Sequence, residues 1–340
     1  MNRFAQLCCV IAALAGLAAC SEQFQPSAYE ANDVSEVSTQ GAAGDPAPEP
    51  VLEMSAEMQE APPLEELMAR EPIALGVELP EELLIAKKIV GADNRKRVTN
   101  TKVKPYSTIA SLIVTFPSAP SRPGLCTGSL IAADAVLTAA HCVYDVKQGG
   151  WASSMRVVPG AFPNSAGKTQ LPYGSASAVR SFAPAEYRAT GSFWQKEPFD
   201  YAVVRIGTGL AKAPGIRAFG VLSGPRVSRP ITLVGYHVDK CANASPCVPG
   251  KSGFIMHKSS DMIRELLPAG AASYTLFNHY ADSIAGASGS PIVSDGTFAN
   301  TIFALHVAGF RNDSSTSWNM GVLLTKSAVT NIKSWAGRKL

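Results

Sequence analysis

The chain has 340 residues, 46% of them hydrophobic and 17% charged, with a formal net charge of +3. That is enough apolar material for one or two packed cores and too much for a wholly disordered chain. The basic residues are scattered, with no dense Lys/Arg run and no repeated aromatic interleaving, so nucleic acid is not an expected partner.

Residues 1–19 read as a secretion signal, with Arg3 as the positive region and Leu7 to Ala19 as a short apolar stretch. The stretch ends Leu17-Ala18-Ala19-Cys20, which resembles a bacterial lipobox. Cleavage before Cys20 and lipidation of its thiol are then implied, and Ser21 is compatible with outer-membrane sorting. An ordinary cleaved signal with a coincidental cysteine is the alternative. No later run approaches the ~20 apolar residues of a spanning helix. The expected location is the cell envelope, as an outer-membrane lipoprotein or in the periplasm. The membrane would be touched only through the lipid on Cys20, and release of the mature domain is left open.

Charge is divided unevenly along the chain. Residues 21–86 carry fifteen acidic residues and one basic residue, Arg70, which leaves 28 basic and 12 acidic residues in 87–340, near +16. Such a domain favours anionic substrates or its own acidic pro-region as partner. Residues 20–61, rich in Ala, Pro, Glu and Ser, read as a disordered acidic tether. Residues 62–88 are more apolar and include Leu64, Leu67, Met68, Ile73, Leu75, Leu79, Leu83 and Leu84. They read as a pro-segment, partly helical, that packs on the following domain. A longer linker is the alternative.

From Ile109 onward the pattern changes to short apolar runs separated by Gly, Pro, Ser and Asn. Examples are Ile109–Phe116, Met155–Val158, Tyr201–Ile206, Ile231–Tyr236, Ser290–Val293 and Ile302–Val307. Repeated short strands with turn signals argue for an all-β barrel or sandwich. Ala328, Val329, Ile332 and Trp335 fall at near-helical spacing, which predicts a closing helix over 325–336. After export four cysteines remain, Cys126, Cys142, Cys241 and Cys247, an even count that reads as two disulfides. A Cys126–Cys142 bridge would fasten the loop that carries His141, and Cys241–Cys247 would close a small loop. No CxxC pair suggests zinc, and no loop has calcium-ligand spacing, so neither metal nor cofactor is expected.

Three runs carry chemistry. Leu137-Thr138-Ala139-Ala140-His141-Cys142 supplies a base, Phe199-Asp200-Tyr201-Ala202-Val203-Val204 an orienting acid, and Gly286-Ala287-Ser288-Gly289-Ser290-Pro291 a nucleophile in a glycine-rich turn. A hydroxyl is a weak nucleophile at neutral pH and needs such a base, oriented in turn by an acid. The chain order His, Asp, Ser resembles that of chymotrypsin-type serine proteases and differs from the Ser, acid, His order of α/β-hydrolases. Taken singly, each residue also has a structural reading.

The run from Ile89 to Thr101, with Pro105-Tyr106, Cys126 to Ile131, Leu171 to Gly174 and Val234 to Tyr236, resembles bacterial glutamyl endopeptidases, the V8-like branch of that family. The resemblance covers essentially 88–340. It implies a chymotrypsin-like double β-barrel with a C-terminal helix, a protease domain over 89–340, a first barrel at about 105–207 and a second at about 216–324. It implies a serine endopeptidase acting on polypeptides through an acyl-enzyme; the sequence does not show the oligomeric state, and a monomer is assumed. His141, Asp200 and Ser288 would be catalytic, and the N–H groups of Gly286 and Ser288 would form the oxyanion hole.

Ala287 stands where animal trypsins carry an acid, so their activation switch is not expected. Lys87-Lys88-Ile89-Val90-Gly91 still looks like a maturation site, where a cut after Lys88 would free the Ile89 amine near the substrate's acidic side chain. His306 and Ser283 match positions that hold a P1 carboxylate, which the resemblance makes Glu or Asp. A locally bonded strand histidine is the alternative for His306. Asp282 sits where trypsins bind Lys or Arg and pulls toward that specificity, unless it points elsewhere. A non-catalytic protease-fold binding protein is the remaining alternative.

Overall fold

The computed structural model describes residues 53–70, 87–188, 192–207, 210, 220–221, 230–240, 254–269, 273–294, 301–311 and 317–337. The expected signal, most of the tether, the lipidation residue Cys20 and the expected Cys241–Cys247 bridge lie outside these residues.

Four short elements precede the barrels: strand β1 (Glu53–Glu57), helix α1 (Leu64–Ala69), strand β2 (Lys87–Lys88) and strand β3 (Lys96–Arg97). The first barrel follows with β4 (Ile109–Thr115), β5 (Gly124–Ala132), β6 (Ala135–Thr138), β7 (Ser154–Pro159), β8 (Ala176–Pro184) and β9 (Ala202–Ile206). Their order is β8-β9-β6-β5-β4-β7, and pairing of Ala176 with Val157 joins β8 to β7, so six antiparallel strands close. Every residue of β4, β5 and β6 is buried, which explains why these runs lack polar alternation.

The second barrel comprises β10 (Pro230–Tyr236), β11 (Met256–Met262), β12 (Glu265–Ala269), β13 (Ser273–His279), β14 (Ser283–Ile284), β15 (Pro291–Ser294), β16 (Thr301–Arg311) and β17 (Ser317–Leu323). The order β11-β10-β15-β16-β17-β13-β12 is a ring once β11 and β12 are taken as two halves of one bent strand. Only Ile263 and Arg264 separate the halves. β3 pairs with β11, and β2 pairs with β14, so the chain around Ile89 belongs to the second barrel.

The barrels meet where β10 packs on β4 and β5. The Tyr236 hydroxyl donates to the Ala161 carbonyl at 3.0 Å across this contact. Helix α2 (Lys326–Trp335) starts at Thr325, whose hydroxyl accepts from the Ala328 N–H at 3.1 Å. It buries Ala328, Val329, Ile332 and Trp335, and the Trp335 ring stacks 5.9 Å from Tyr201 and 6.2 Å from Phe182. The final helix thus closes over the first barrel.

Residues 53–61 fall within the stretch read from composition as tether, and here they differ. Glu53–Glu57 pairs in register with Pro184–Arg180 of β8. Little in that stretch signals a strand, and the open β8 edge supplies the partner that makes it one. Among the described residues no helix is long and apolar enough to cross a membrane.

Candidate active site

β6 and β9 are antiparallel neighbours, with Thr138 opposite Ala202, so the end of one meets the start of the other. That register sets His141, three residues beyond β6, beside Asp200, two residues before β9. The Cys126–Cys142 disulfide, with its Cα atoms 6.2 Å apart, fastens the short turn of His141 to β5. His141 Nδ1 lies 2.7 Å from Asp200 Oδ2, and the His141 backbone N–H donates to Oδ1 at 2.9 Å. Asp200 is wholly buried and His141 is 3% exposed. A carboxylate can sit there because both its oxygens have donors. His141 Nε2 is buried and has no hydrogen-bond partner among the described residues. Glu197, one helical turn earlier, is also buried. Burial and the Asp200 charge push its carboxyl well above the usual carboxylate range.

Ser288 sits in a turn between β14 and β15 whose backbone is pinned from three directions. Within the turn, the Ala287 N–H donates to Ile284 O at 3.0 Å and the Ser290 N–H to Ala287 O at 2.9 Å. From the first barrel, the Thr127 N–H donates to Ser288 O at 2.8 Å, and its hydroxyl donates to Gly286 O at 2.8 Å. From β16, His306 O accepts from Gly289 N–H at 2.8 Å. Cys142 Sγ lies 3.8 Å from Ser288 O, so the serine backs directly onto the residue after His141. Gly286 and Gly289 have φ of +95° and +79°, where only glycine rests without strain. A Cβ on Gly289 would lie 2.2 Å from Thr138 Oγ1 and 2.4 Å from Thr127 O. The closeness of the two barrels therefore requires glycine after the serine.

A group of buried polar side chains lies on the second-barrel side of this turn. His306 on β16 is buried, and its ring stands 5.6 Å from that of His279 on β13 at an interplanar angle of 69°. Burial, then the charges of His279 and His141, push His306 well below the ordinary imidazole value, and a Met320 backbone hydrogen bond opposes this. Burial pushes His279 down to about 3. Both rings are therefore neutral at pH 7. The Ser283 hydroxyl donates to Asn319 Oδ1 at 3.0 Å, and Asn319 Nδ2 donates to Ala281 O at 2.8 Å.

Asp282 faces elsewhere. Its carboxylate is wholly buried and accepts from the Val90 N–H at 2.7 Å and the Asn94 N–H at 2.8 Å. Its own N–H donates to Ser259 Oγ, which donates to Asn94 Oδ1 at 2.7 Å. Asp282 thus straps the chain after Ile89 to the second barrel. Lys88, just before Ile89, pairs with Ser283.

The structure brings His141, Asp200, Ser288 and Gly286 into one site and sets His306, Ser283, Asp282 and Ile89 around its second-barrel side. Sequence reasoning missed Thr127, Thr138 and Asn319. Thr138 Oγ1 donates to Thr127 O at 2.9 Å, and Asn319 is buried in an apolar strand. The available signal was a polar residue inside a largely apolar run. Cys126, His141 and Cys142 place donor atoms within 4.8 Å of one another. The two sulfurs are bonded to each other, however, and offer no thiolate to a metal.

Residues 108–335 match the family model described as Trypsin. The chain is 28% identical to a glutamyl endopeptidase of Bacillus licheniformis over 254 residues, 73% of this chain and 69% of that protein. It is 26% identical to a protein of Bacillus subtilis named an extracellular metalloprotease, over 76% of this chain and 72% of that one. A solved Glu endopeptidase bound to MPD superposes with a TM-score of 0.56 at 25% identity, covering 73% of this chain and 98% of that structure.

Proposed function

This chain belongs to the trypsin family and is a serine endopeptidase, and we propose that it cleaves peptide bonds after glutamate, or aspartate, through Ser288, His141 and Asp200. The observation that carries the reading is the buried His141–Asp200 pair, with His141 Nε2 unpartnered among the described residues and the Ser288 turn pinned against Cys142.

In this reading Ser288 Oγ attacks the scissile carbonyl carbon while His141 Nε2 takes its proton. Asp200 holds the ring with Nδ1 protonated and stabilises the imidazolium. The N–H groups of Gly286 and Ser288 bind the oxyanion, a contribution for which one lost donor costs about 10²–10³ in rate. His141 then gives its proton to the leaving amine. Water repeats the sequence on the acyl-enzyme and restores Ser288.

Glutamate is favoured over lysine or arginine by two features of the pocket side. Asp282, the acid a basic side chain would need, already accepts from two backbone amides. His306 and Ser283 carry N–H and O–H groups suited to a carboxylate, once Ser283 turns from Asn319. A domain charge near +16 adds attraction for acidic peptides. A cut after Lys88 would free the Ile89 amine next to Ser283 and add a cation to the pocket. Export is part of the same reading. The Cys126–Cys142 disulfide suits an oxidising compartment, and a lipid on Cys20 would hold the chain at the envelope.

The test is cleavage-site profiling of the matured protein on a peptide library, beside a Ser288→Ala control, with cuts read by mass spectrometry. Cuts after Glu that vanish in the control are expected. Cuts after Lys or Arg would overturn the pocket assignment, and a profile identical to the control would overturn catalysis itself.

A further inference from the structure

We propose that residues 53–70 are a permanent, non-covalently held part of the mature enzyme. When the chain is cut before Ile89, β1 and α1 stay docked on the first barrel and keep the catalytic body attached to its own N-terminal chain.

The argument begins at the barrel's seam. β8 is nine residues long, but only its first two residues pair with β7. Beyond Ser177 the two strands diverge, and the rest of β8 presents an open edge. β1 fills that edge over five paired residues, Glu53–Glu57 against Pro184–Arg180. The ladder then continues across the gap. The Met58 N–H donates to Val179 O at 3.0 Å, and the Gln59 N–H donates to Ser153 O at 2.9 Å at the start of β7. The Ala61 N–H reaches Ser177 Oγ at 3.2 Å. One continuous segment therefore satisfies backbone groups of both seam strands, which an unpaired edge would leave to solvent.

Side chains add a second layer of attachment. Leu67 is wholly buried, and Met58, Ala61, Leu64 and Met68 join it in the same core cluster as the strands of the first barrel. Arg156 on β7 donates to the carbonyls of Ala61 and Pro62. Arg70 donates to Pro120 O at 2.7 Å, so the far end of α1 is also tied down. These are the contacts of a resident element rather than of a flexible leader.

The two halves of the expected pro-region thus do different work. β2 lies on the second barrel against β14, beside the pocket. Residues 53–70 lie on the first barrel, and among the described residues they make no hydrogen bond with the second barrel or the Ser288 turn. A cut after Lys88 severs the chain at the end of β2 and breaks none of the contacts that residues 53–70 make with the first barrel.

The test uses the full chain carrying Ser288→Ala, with a site for a sequence-specific endoprotease inserted between residues 76 and 81. After complete cutting, native mass spectrometry and size-exclusion chromatography are run at micromolar concentration. The expected result is one species with the summed mass of both fragments. Hydrogen exchange should still protect the amides of Met58, Gln59 and Ala61. Paired substitution of Leu67→Asp and Met68→Asp should make the fragments separate after cutting. Separation of the unsubstituted fragments, with the C-terminal fragment keeping its melting temperature, would overturn the proposal and leave residues 53–70 as a removable folding aid.

Discussion

Asp282 shows how one side chain can mislead when only its position along the chain is known. Six residues before Ser288, it invites a basic-specificity reading. Its carboxylate is instead occupied by the amides of Val90 and Asn94. Asparagine offers one acceptor oxygen where the carboxylate offers two, so Asp282→Asn should cost about 1.5–3 kcal/mol of stability. It should also raise hydrogen exchange at Val90 and Asn94 without creating cleavage after Lys or Arg. Appearance of such cleavage in the same peptide profile would restore Asp282 as a pocket residue. His306 carries the converse prediction. If its neutral ring donates to a substrate carboxylate, His306→Ala should lower kcat/KM on Glu peptides about 10–100-fold, the loss of one charge-assisted hydrogen bond. Rates on substrates with neutral P1 residues should change little, and equal losses on both would remove the ring from specificity.

At the scale of elements, the site is a product of strand pairing. The β6–β9 register delivers His141 and Asp200 together, while the Ser288 turn comes from the other barrel and is fixed by β5 through Thr127. Thr127→Val removes the hydroxyl that donates to Gly286 O and accepts from the Tyr236 N–H. The expected result is a fall in kcat with KM nearly unchanged, because the turn loses its shape while the pocket wall keeps its own pairing. Steady-state kinetics on a Glu peptide decides it, and a change in KM alone would contradict it. Gly289→Ala is the harsher case. The added methyl meets Thr138 Oγ1 and Thr127 O well inside van der Waals contact at a φ of +79°. Stoichiometric labelling of Ser288 by a fluorophosphonate should fail in this variant, and full labelling would show that the two barrels can separate to admit a methyl.

Across the whole molecule, buried histidines set an acid limit on stability. Burial holds His237 and His306 well below 6.5 and His279 near 3. As pH falls below about 6.5 the unfolded chain binds protons that the folded chain refuses. Stability therefore falls by about 1.4 kcal/mol per pH unit for each ring still neutral in the fold. Glu197 acts with the opposite sign. Its raised value contributes stability below about 4.5 that is lost as pH rises toward its folded-state value. Burial lowers His257 as well, so four imidazoles against one carboxyl leave a net loss on acidification. The melting temperature of the Ser288→Ala protein should drop between pH 6.5 and 4.5, and His279→Phe should flatten that slope. A melting temperature constant over this window would contradict the neutral-histidine account.

The sequence by itself determined the β-rich class and the closing helix and singled out the candidate residues His141, Asp200 and Ser288, because each rests on local chemistry or periodicity. Ser288 is legible from its flanking glycines, His141 from the cysteine beside it, and the 325–336 helix from four apolar residues on one face. Strands such as Ile109–Thr115 and Ala202–Ile206 are legible as apolar runs because both their faces are buried. What depended on distant partners was not legible. Met256–Met262 is polar on its outer side and becomes a strand by pairing with β10 and β3. Residues 53–57 become a strand only because β8 leaves an edge open, and Asp282 becomes a strap because Val90 and Asn94 reach it from almost two hundred residues away. Tertiary structure decided these cases, since a backbone amide or an open sheet edge gives no signal in the identity of the residue that will meet it.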